Sequence, residues 1–444
     1  MTISPSDSKI FGQQFNHPAM AKIFTDEQYV REMLVVEAAL ARVLGNLNVI
    51  PATAADNIVR ASGELEVDFD QIKEGVNKSG FPVINLVQQL GVAAGDDAER
   101  YVHFGATTQD IMDTARVLQI KNALIAIEIE LNNVIANLSE QVRTYRDQVL
   151  PGRTHTQHAL PISFGYKVAT WLAPLLRHRE RLAQMRSRTL VLQFGGAAGT
   201  LASYGSRGKD IYSALGEDLA LDLPVLPWHT QRDGFAEIAG WLSLVSGSLG
   251  KMAQDILLLA QTEIGEVRET EDASRGGSSA MPQKHNPIQS ELILAAARAN
   301  AASLSSMHNA LIQEHERATH GWQLEWIALP QMFALTASAL ANATKISRGL
   351  VVDQDRMREN VLASHGTMMA EAIRIALIEK MAPKGAESLL KDATQTALAE
   401  SRPLVEIVKE NSDVELPWDS LSDESDYLGE AQWFIDRVLQ EVED

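Results

Sequence analysis

Apolar residues in the middle of the chain recur at the period of an α-helix. They run Val117, Ile120, Leu124, Ile127, Leu131, Val134 and Leu138, in steps that alternate 3 and 4. This spacing predicts a long helix with one coiled-coil-like seam, ending before Pro151. A second helix is predicted over residues 164–190, with Pro174 inside it as a point of kinking. A third, over 235–263, is apolar nearly all round and is expected to be buried on every side. Within it Gly240, Ser243, Gly247 and Gly250 recur at steps of 3 and 4, which admits a close neighbouring helix. Further helices are predicted at 288–311 and 330–349. No alternating apolar run long enough for a sizeable sheet is present, and no internal repeat. The pattern predicts an all-α chain in three parts: an N-terminal helical region at 1–109, a long-helix bundle at 110–351 and a C-terminal helical region at 352–444. VVDQDRM at 351–357 marks the second junction. The breadth of apolar helix surface suggests subunits that share one bundle.

Composition then narrows the function. The 444 residues carry 39 basic and 58 acidic side chains, a net charge of −19. With 45% hydrophobic and 22% charged residues the chain is globular rather than disordered. Cysteine is absent, which excludes thiol catalysis, Cys-ligated zinc, iron–sulfur clusters and disulfides. The negative balance argues against nucleic acid, because phosphate neutralisation needs a basic surface. MTISPSDSKIFGQQF lacks the basic start and apolar run of a secretory signal. Ile238–Gly250, taken as the greasiest helical stretch, is 13 residues long, short of the about 20 a membrane span needs. The expectation is a soluble, cytoplasmic protein with no membrane partner.

Three polar segments interrupt the apolar pattern: HFGATTQDIMDTA at 103–115, PGRTHTQHALPISFG at 151–165 and SRGGSSAMPQKHNP at 274–287. The first and third lead directly into a helix, the second after Pro161. In the third, Asn286 can serve as N-cap and Pro287 suits the first helical position. Helix N-termini offer unpaired N–H groups and partial positive charge, so three converging starts would hold a polyanionic small molecule. TTQD also reads as a simple cap, and His155 and His158 as histidines satisfied in a polar turn. The third segment is too rich in glycine, serine and donors for a mere connector. A serine acts as a base when loop N–H groups and a cation stabilise its oxyanion. Lys284 and Asn286 can hold a carboxylate beside the carbon that loses its proton, and histidine is the default acid near neutral pH. This is chemistry for proton abstraction next to a carboxylate, with a leaving group protonated on the far side.

Other motifs fail. GGAAG at 195–199 is not G-x-G-x-x-G, and Gly208-Lys209 has Ser203 where a phosphate loop needs glycine. His315-Glu316 with His320 has one residue too many for H-E-x-x-H. Trp322 and Trp326, four apart, are expected to pack together. Glu314, His315, Arg317 and Trp322 are open to two readings, as pocket lining or as cap and cover of a helix.

GGSSAMPQKHNP resembles the signature loop of the fumarase/aspartase superfamily, and the other two segments resemble its other active-site regions in the right order. The resemblance covers essentially the whole chain. It implies a three-part helical subunit in a homotetramer around a central helix bundle, active sites assembled from three subunits, and no metal or organic cofactor. It further implies that Ser278 is the general base, that Lys284 and Asn286 bind the substrate carboxylate, and that Glu291 supports them. Ser279 and Met281 fall among the loop's substrate-binding positions, as do Thr107, Thr108 and Gln109 in the first region. Thr154 binds substrate in the second, where His155 is the proton donor or its relay.

FPVINLVQQLG, LQFGGAAGT, EHERATHGWQLEW and YLGEAQWFIDRVL look most like the branch of 3-carboxy-cis,cis-muconate cycloisomerases, which add a substrate's own carboxylate across a double bond. Adenylosuccinate lyase, the rival branch, carries a His-Asp-Val stretch where this chain has Pro82, Val83 and Ile84. His155 points the other way, to fumarate-forming lyases that expel an amine or hydroxyl, since lactonizing relatives can carry tryptophan there. A non-catalytic structural or binding protein on this scaffold, as in lens crystallins, is the third reading. For an enzyme, Ser278→Ala lowers turnover by at least about a hundredfold, the lower end for a general base. A fall below about tenfold in the same steady-state assay would remove the base assignment.

Overall fold

The computed structural model describes residues 4–269, 281, 284–317 and 319–443. Helices dominate them. Helix α1 (Asp26–Asn46) starts where Thr25 Oγ1 accepts from Gln28 N, with Asp26 and Glu27 in its positive first turn. The long helices are α2 (Thr108–Thr144), α3 (Phe164–Thr189), α4 (Asp233–Leu259), α5 (Ile288–Asn309) and α6 (Gly321–Gly349). Helix α7 (Gln354–Leu362) follows, capped by Asp353, which accepts from Arg356 N. The seven seam positions of α2 are each at most 1% exposed, as the 3,4 spacing requires.

Three features differ from the sequence-based expectation. First, α6 begins at Gly321, not at Pro330, which lies inside the helix. The proline removes one backbone hydrogen bond, and burial of Leu329, Met332 and Phe333 around it offsets the loss. This helix, at 29 residues, is longer than the 13-residue Ile238–Gly250 stretch. It is long and apolar enough to cross a membrane, yet 67% of its most apolar window is buried inside the chain, as in a core helix. Second, the 151–165 segment is a hairpin of β1 (Val149–Thr154) and β2 (Gln157–Ser163), with Pro151 opposite Pro161. Its prolines and the polar GRTHTQH run leave no apolar alternation to detect. Ser163 Oγ then accepts from Tyr166 N and opens α3. A second short pair joins β3 (Val267–Arg268) to β4 (Val351–Val352). Third, α4 is not buried all round: Leu244 is 52% exposed, and a Cβ added at Gly240 or Gly247 would meet nothing within 4 Å. Among the described residues none supplies the close neighbour that these small residues admit.

By their contacts the residues group into two compact units, neither contiguous in sequence. One comprises Met1–Glu130, His178–Gly247 and Ala295–Ala339, the other Leu131–Arg177, Ser248–Leu294 and Leu340–Asp444. In the second, Ile373, Leu377, Leu390, Leu404 and Val408 form the heart of a C-terminal core.

The first unit is built around a buried ion triad. Arg232, just before α4, donates from Nη1 (2.6 Å) and Nη2 (3.0 Å) to Asp113 of α2. Its Nε (2.8 Å) and Nη2 (2.5 Å) donate to Glu325 of α6. All three side chains are at most 3% exposed. Burial alone would lower the Arg232 pKa, but the two carboxylates hold it above its usual range. A little further along, Asn300 Nδ2 of α5 donates to Thr336 Oγ1 of α6 (2.8 Å) and to Ser246 Oγ of α4 (3.2 Å). Arg232→Met leaves two carboxylates buried without a cation and is expected to cost ~3–5 kcal/mol, read by urea denaturation. A loss under about 1 kcal/mol, the range of a surface pair, would show that the triad is not structural.

Candidate functional site

The first polar segment lies in the first unit and is organised by Asp110, a carboxylate with no exposed surface. Its Oδ1 accepts from Gly195 N (2.9 Å), Gln193 Nε2 (3.1 Å) and His229 Nε2 (2.9 Å). Its Oδ2 accepts from Thr107 N (3.0 Å) and Gly196 N (2.8 Å). The GGAAG turn is thus a cradle for this side chain. Gly195 has no room for a Cβ, which would fall 2.8 Å from Pro227, and Gly196 sits at φ 71°.

Arg317 closes the arrangement. Its Nη1 donates to Thr107 Oγ1 (2.7 Å), and Nη2 to the carbonyls of Ala197 (2.8 Å) and Gly196 (3.3 Å). Thr107 and Thr108 are half-buried at the start of α2. Gln109 has no exposed surface: Nε2 donates to Asp113 Oδ2 and to the carbonyl of His229, and Oε1 has no partner among the described residues. Of the four residues left open at 314–322, Arg317 therefore touches the first segment. Trp322 is core: its Nε1 donates to Asp113, and its ring lies 5.0 Å from that of Trp326, as expected of that pair. Glu314 accepts from Thr319 N and Oγ1, and these bonds hold its carboxyl below the usual range.

The second segment lies in the second unit. Thr154 and His155 are exposed at the tip of the β1–β2 hairpin, whose turn residues His155 and Thr156 have φ 48° and 66°. Beneath the tip, Arg153 makes a two-pronged pair with Glu266, Nη1–Oε2 2.9 Å and Nη2–Oε1 2.6 Å. Asn360 Nδ2 of α7 adds a third bond to Glu266 Oε1 (2.8 Å), and the Glu266 side chain is fully buried. His158, opposite Arg153 in the ladder, has its pKa lowered by burial and then by the Arg153 charge. Lys167, in the first turns of α3, is lowered chiefly by burial, partly offset by Asp255.

The third segment also belongs to the second unit. Ser278 and Ser279 lie outside the described residues. Lys284 and Asn286 both line a cavity of about 1160 Å³, together with Arg268, Glu269, Gln289 and Asp353. Met281 is 44% exposed, and its carbonyl accepts from Lys284 N (3.1 Å). Glu291 is exposed in the first turn of α5. The helix start differs from expectation. It begins at Ile288, and the capping group is neither Asn286 nor a free anion but the Glu269 carboxylate, which accepts from Ser290 N (2.6 Å) and Gln289 N (3.1 Å). Among the described residues no cluster of three or more His, Cys, Asp or Glu side chains could hold a metal ion.

Asp110, Gln193, His229, Arg153, Glu266 and Glu269 were not singled out from the sequence. Their partners lie tens of residues away, and only the glycines of GGAAG hinted at a tight approach. Near the first segment, His103 Nδ1 pairs with the buried Glu37 of α1 at 2.6 Å. Burial pulls the His103 pKa down, but the charge and hydrogen bond of Glu37 raise it above its ordinary 6.5. A raised histidine pKa stabilises the fold fully below the unfolded value and loses that contribution as pH climbs through the folded one. The stability difference between the native chain and His103→Asn, a residue that tolerates the φ of 58° there, is therefore expected to be larger at about pH 6 than at about pH 9. Equal differences in urea titrations at the two pH values would mean that the pair is not protonation-linked.

Comparison with known proteins identifies the family. A family described as lyase matches residues 13–299. The 3-carboxy-cis,cis-muconate cycloisomerase of Pseudomonas aeruginosa is 43% identical, over 98% of this chain and 96% of its own length. Trans-aconitate decarboxylase 1 of Mycosarcoma maydis is 38% identical, over 96% of this chain and 87% of its own. The crystal structure of the 3-carboxy-cis,cis-muconate lactonizing enzyme from Pseudomonas putida superposes with a TM-score of 0.93 at 41% identity, covering 98% of this chain and 99% of that one. The predominantly helical architecture and these matches over nearly the whole length place the chain in the lyase family of the fumarase/aspartase superfamily, as an enzyme.

Proposed function

We propose that this enzyme is a cofactor-independent 3-carboxy-cis,cis-muconate cycloisomerase acting in the cytoplasm as a homotetramer, with each active site shared between subunits. The observation that carries the reading is the 43% identity, across nearly all of both chains, to an enzyme of that name. Lactone closure joins a carboxylate oxygen of the substrate to one carbon of a double bond, and a proton joins the other. Nothing is lost, so the reaction is an isomerisation. Electron density pushed onto the second carbon spreads into its neighbouring carboxylate. Lys284 and Asn286 bind that carboxylate and stabilise its extra charge, with Glu291 supporting them and Met281 and Ser279 completing the contact. Ser278 delivers the proton, the reverse of its role as base in an elimination. Thr107, Thr108 and Thr154 hold the remaining carboxylate oxygens. Arg317, bonded to Thr107, adds a cation suited to a polycarboxylate, and Gln109 backs the threonines from the buried side.

His155 favours a second reading. An attacking or departing carboxylate needs no proton transfer, so in lactonisation His155 serves only to donate a hydrogen bond that orients it. An amine or hydroxyl leaving group, by contrast, needs a general acid. A fumarate-forming C–N or C–O lyase acting on a succinyl-type substrate would use His155 in that role. A non-catalytic role on this scaffold has no observation in its favour.

The test is a spectrophotometric assay of the purified chain with 3-carboxy-cis,cis-muconate, following loss of the conjugated-diene absorbance and identifying the product. Loss with a lactone as product is expected. Absence of loss, with fumarate released from a succinyl-amine or hydroxy-dicarboxylate instead, overturns the lactonizing reading in favour of the lyase.

A further inference from the structure

The hairpin that carries His155 is built against local preference. Thr154 pairs with Gln157, so the turn has two residues only, His155 and Thr156, and both lie in the left-handed region at φ 48° and 66°. Two-residue turns of this hand select Asn-Gly or Asp-Gly, because a Cβ is disfavoured there and a β-branched side chain most of all. Thr156 is such a side chain. Its hydroxyl donates to the carbonyl of His155 (2.6 Å), a bond within the turn itself. No core is served by the arrangement, since residues 154–158 are all exposed.

The strand beneath is fastened to compensate. Arg153 immediately precedes the tip and is gripped in two prongs by the fully buried Glu266, which Asn360 also holds. The ladder slips between Pro151 and Arg153, where Gly152 brings its backbone close to Leu160: a Cβ there would meet the Leu160 carbonyl oxygen at 2.6 Å. A bulge of this kind re-aims the residues that follow it. Among the described residues the anchors of the hairpin sit below the turn, so it is the turn that sets the direction of the His155 ring.

We propose that Thr156, with the Arg153–Glu266 clamp under it, is a positioning device for the His155 imidazole: a left-handed, β-branched residue holds the tip to one narrow conformation that glycine would let relax. The inference rests on the proposal that His155 acts at the reacting bond, in either the lactonizing or the lyase reading. Local strain kept where nothing structural requires it is a mark of functional sites. Thr156, Arg153 and Glu266 are positioning residues, acting through His155 rather than on the substrate.

Thr156→Gly in the full-length chain separates this from a turn that is merely tolerated. Glycine relieves the left-handed strain, so the unfolding midpoint is expected to hold or rise. At the same time kcat falls by about tenfold or more with KM nearly unchanged, because a misplaced catalytic group weakens the transition state selectively. The His155 ring signal in histidine-labelled NMR spectra sharpens towards that of a mobile side chain. Glu266→Gln, which keeps the shape and removes the charge, is expected to give the same split between kcat and KM. Unchanged kcat and an unchanged ring signal in Thr156→Gly overturn the proposal, and so does a lowered midpoint, which would show the native turn to be unstrained. His155→Ala is the control. If it retains full activity on both substrate classes, the assigned role of His155 has failed, whereas the NMR signal of Thr156→Gly still reports whether the turn holds the ring.

Discussion

A single buried guanidinium sets the first unit. Arg232 faces Asp113 on α2 and Glu325 on α6, and it lies at the entrance to α4, so three long helices meet at one cation. Charge this deep is costly to bury and is tolerated only when every donor finds an acceptor. That requirement is directional. It fixes the rotation of α2 about its axis, which a greasy seam alone would leave loose. Trp322 and Gln109 complete the shell of Asp113, so the core aromatic and the polar helix start are bound to the same carboxylate.

The fixed rotation of α2 carries the first polar segment with it. Asp110 lies three residues before Asp113, close to the same face of the helix. It turns inward to collect the glycine cradle, His229 and the Thr107 amide, while Thr107 Oγ1 stays available to Arg317. Thr107 is thereby held on both its backbone and its side chain. Such double restraint places a binding hydroxyl without help from a ligand. The second unit uses the same economy with different residues: Glu266 and Glu269, three apart, secure the hairpin and the start of α5 respectively.

Much of this is legible in the amino-acid sequence. The 3,4 spacing from Val117 to Leu138 located α2, and the starts of α3, α4 and α5 fell within a few residues of their observed positions. Those signals are local and repeat many times. The polar segments stood out because small and charged residues interrupt long apolar runs. What escaped notice depends on single distant partners. Glu269 capping α5, Asp110 filling the GGAAG turn and Glu266 gripping Arg153 each join residues whose pairing leaves no periodic trace. The hairpin was missed for a related reason, as its strands hold prolines and polar residues instead of alternation. Pro330 misled in the opposite sense, a proline read as a helix start that burial carries through the interior.

The two-residue turn at 155–156 also bears on how such a protein can be improved. A sequence chosen for local fit to this backbone would write Asn-Gly there, and a search for stabilising changes would reach the same pair early. Either route deletes His155. Where the backbone and the residues upon it disagree, conformity to local preference is a poor guide, and the disagreement itself marks a position to be set aside before any redesign begins.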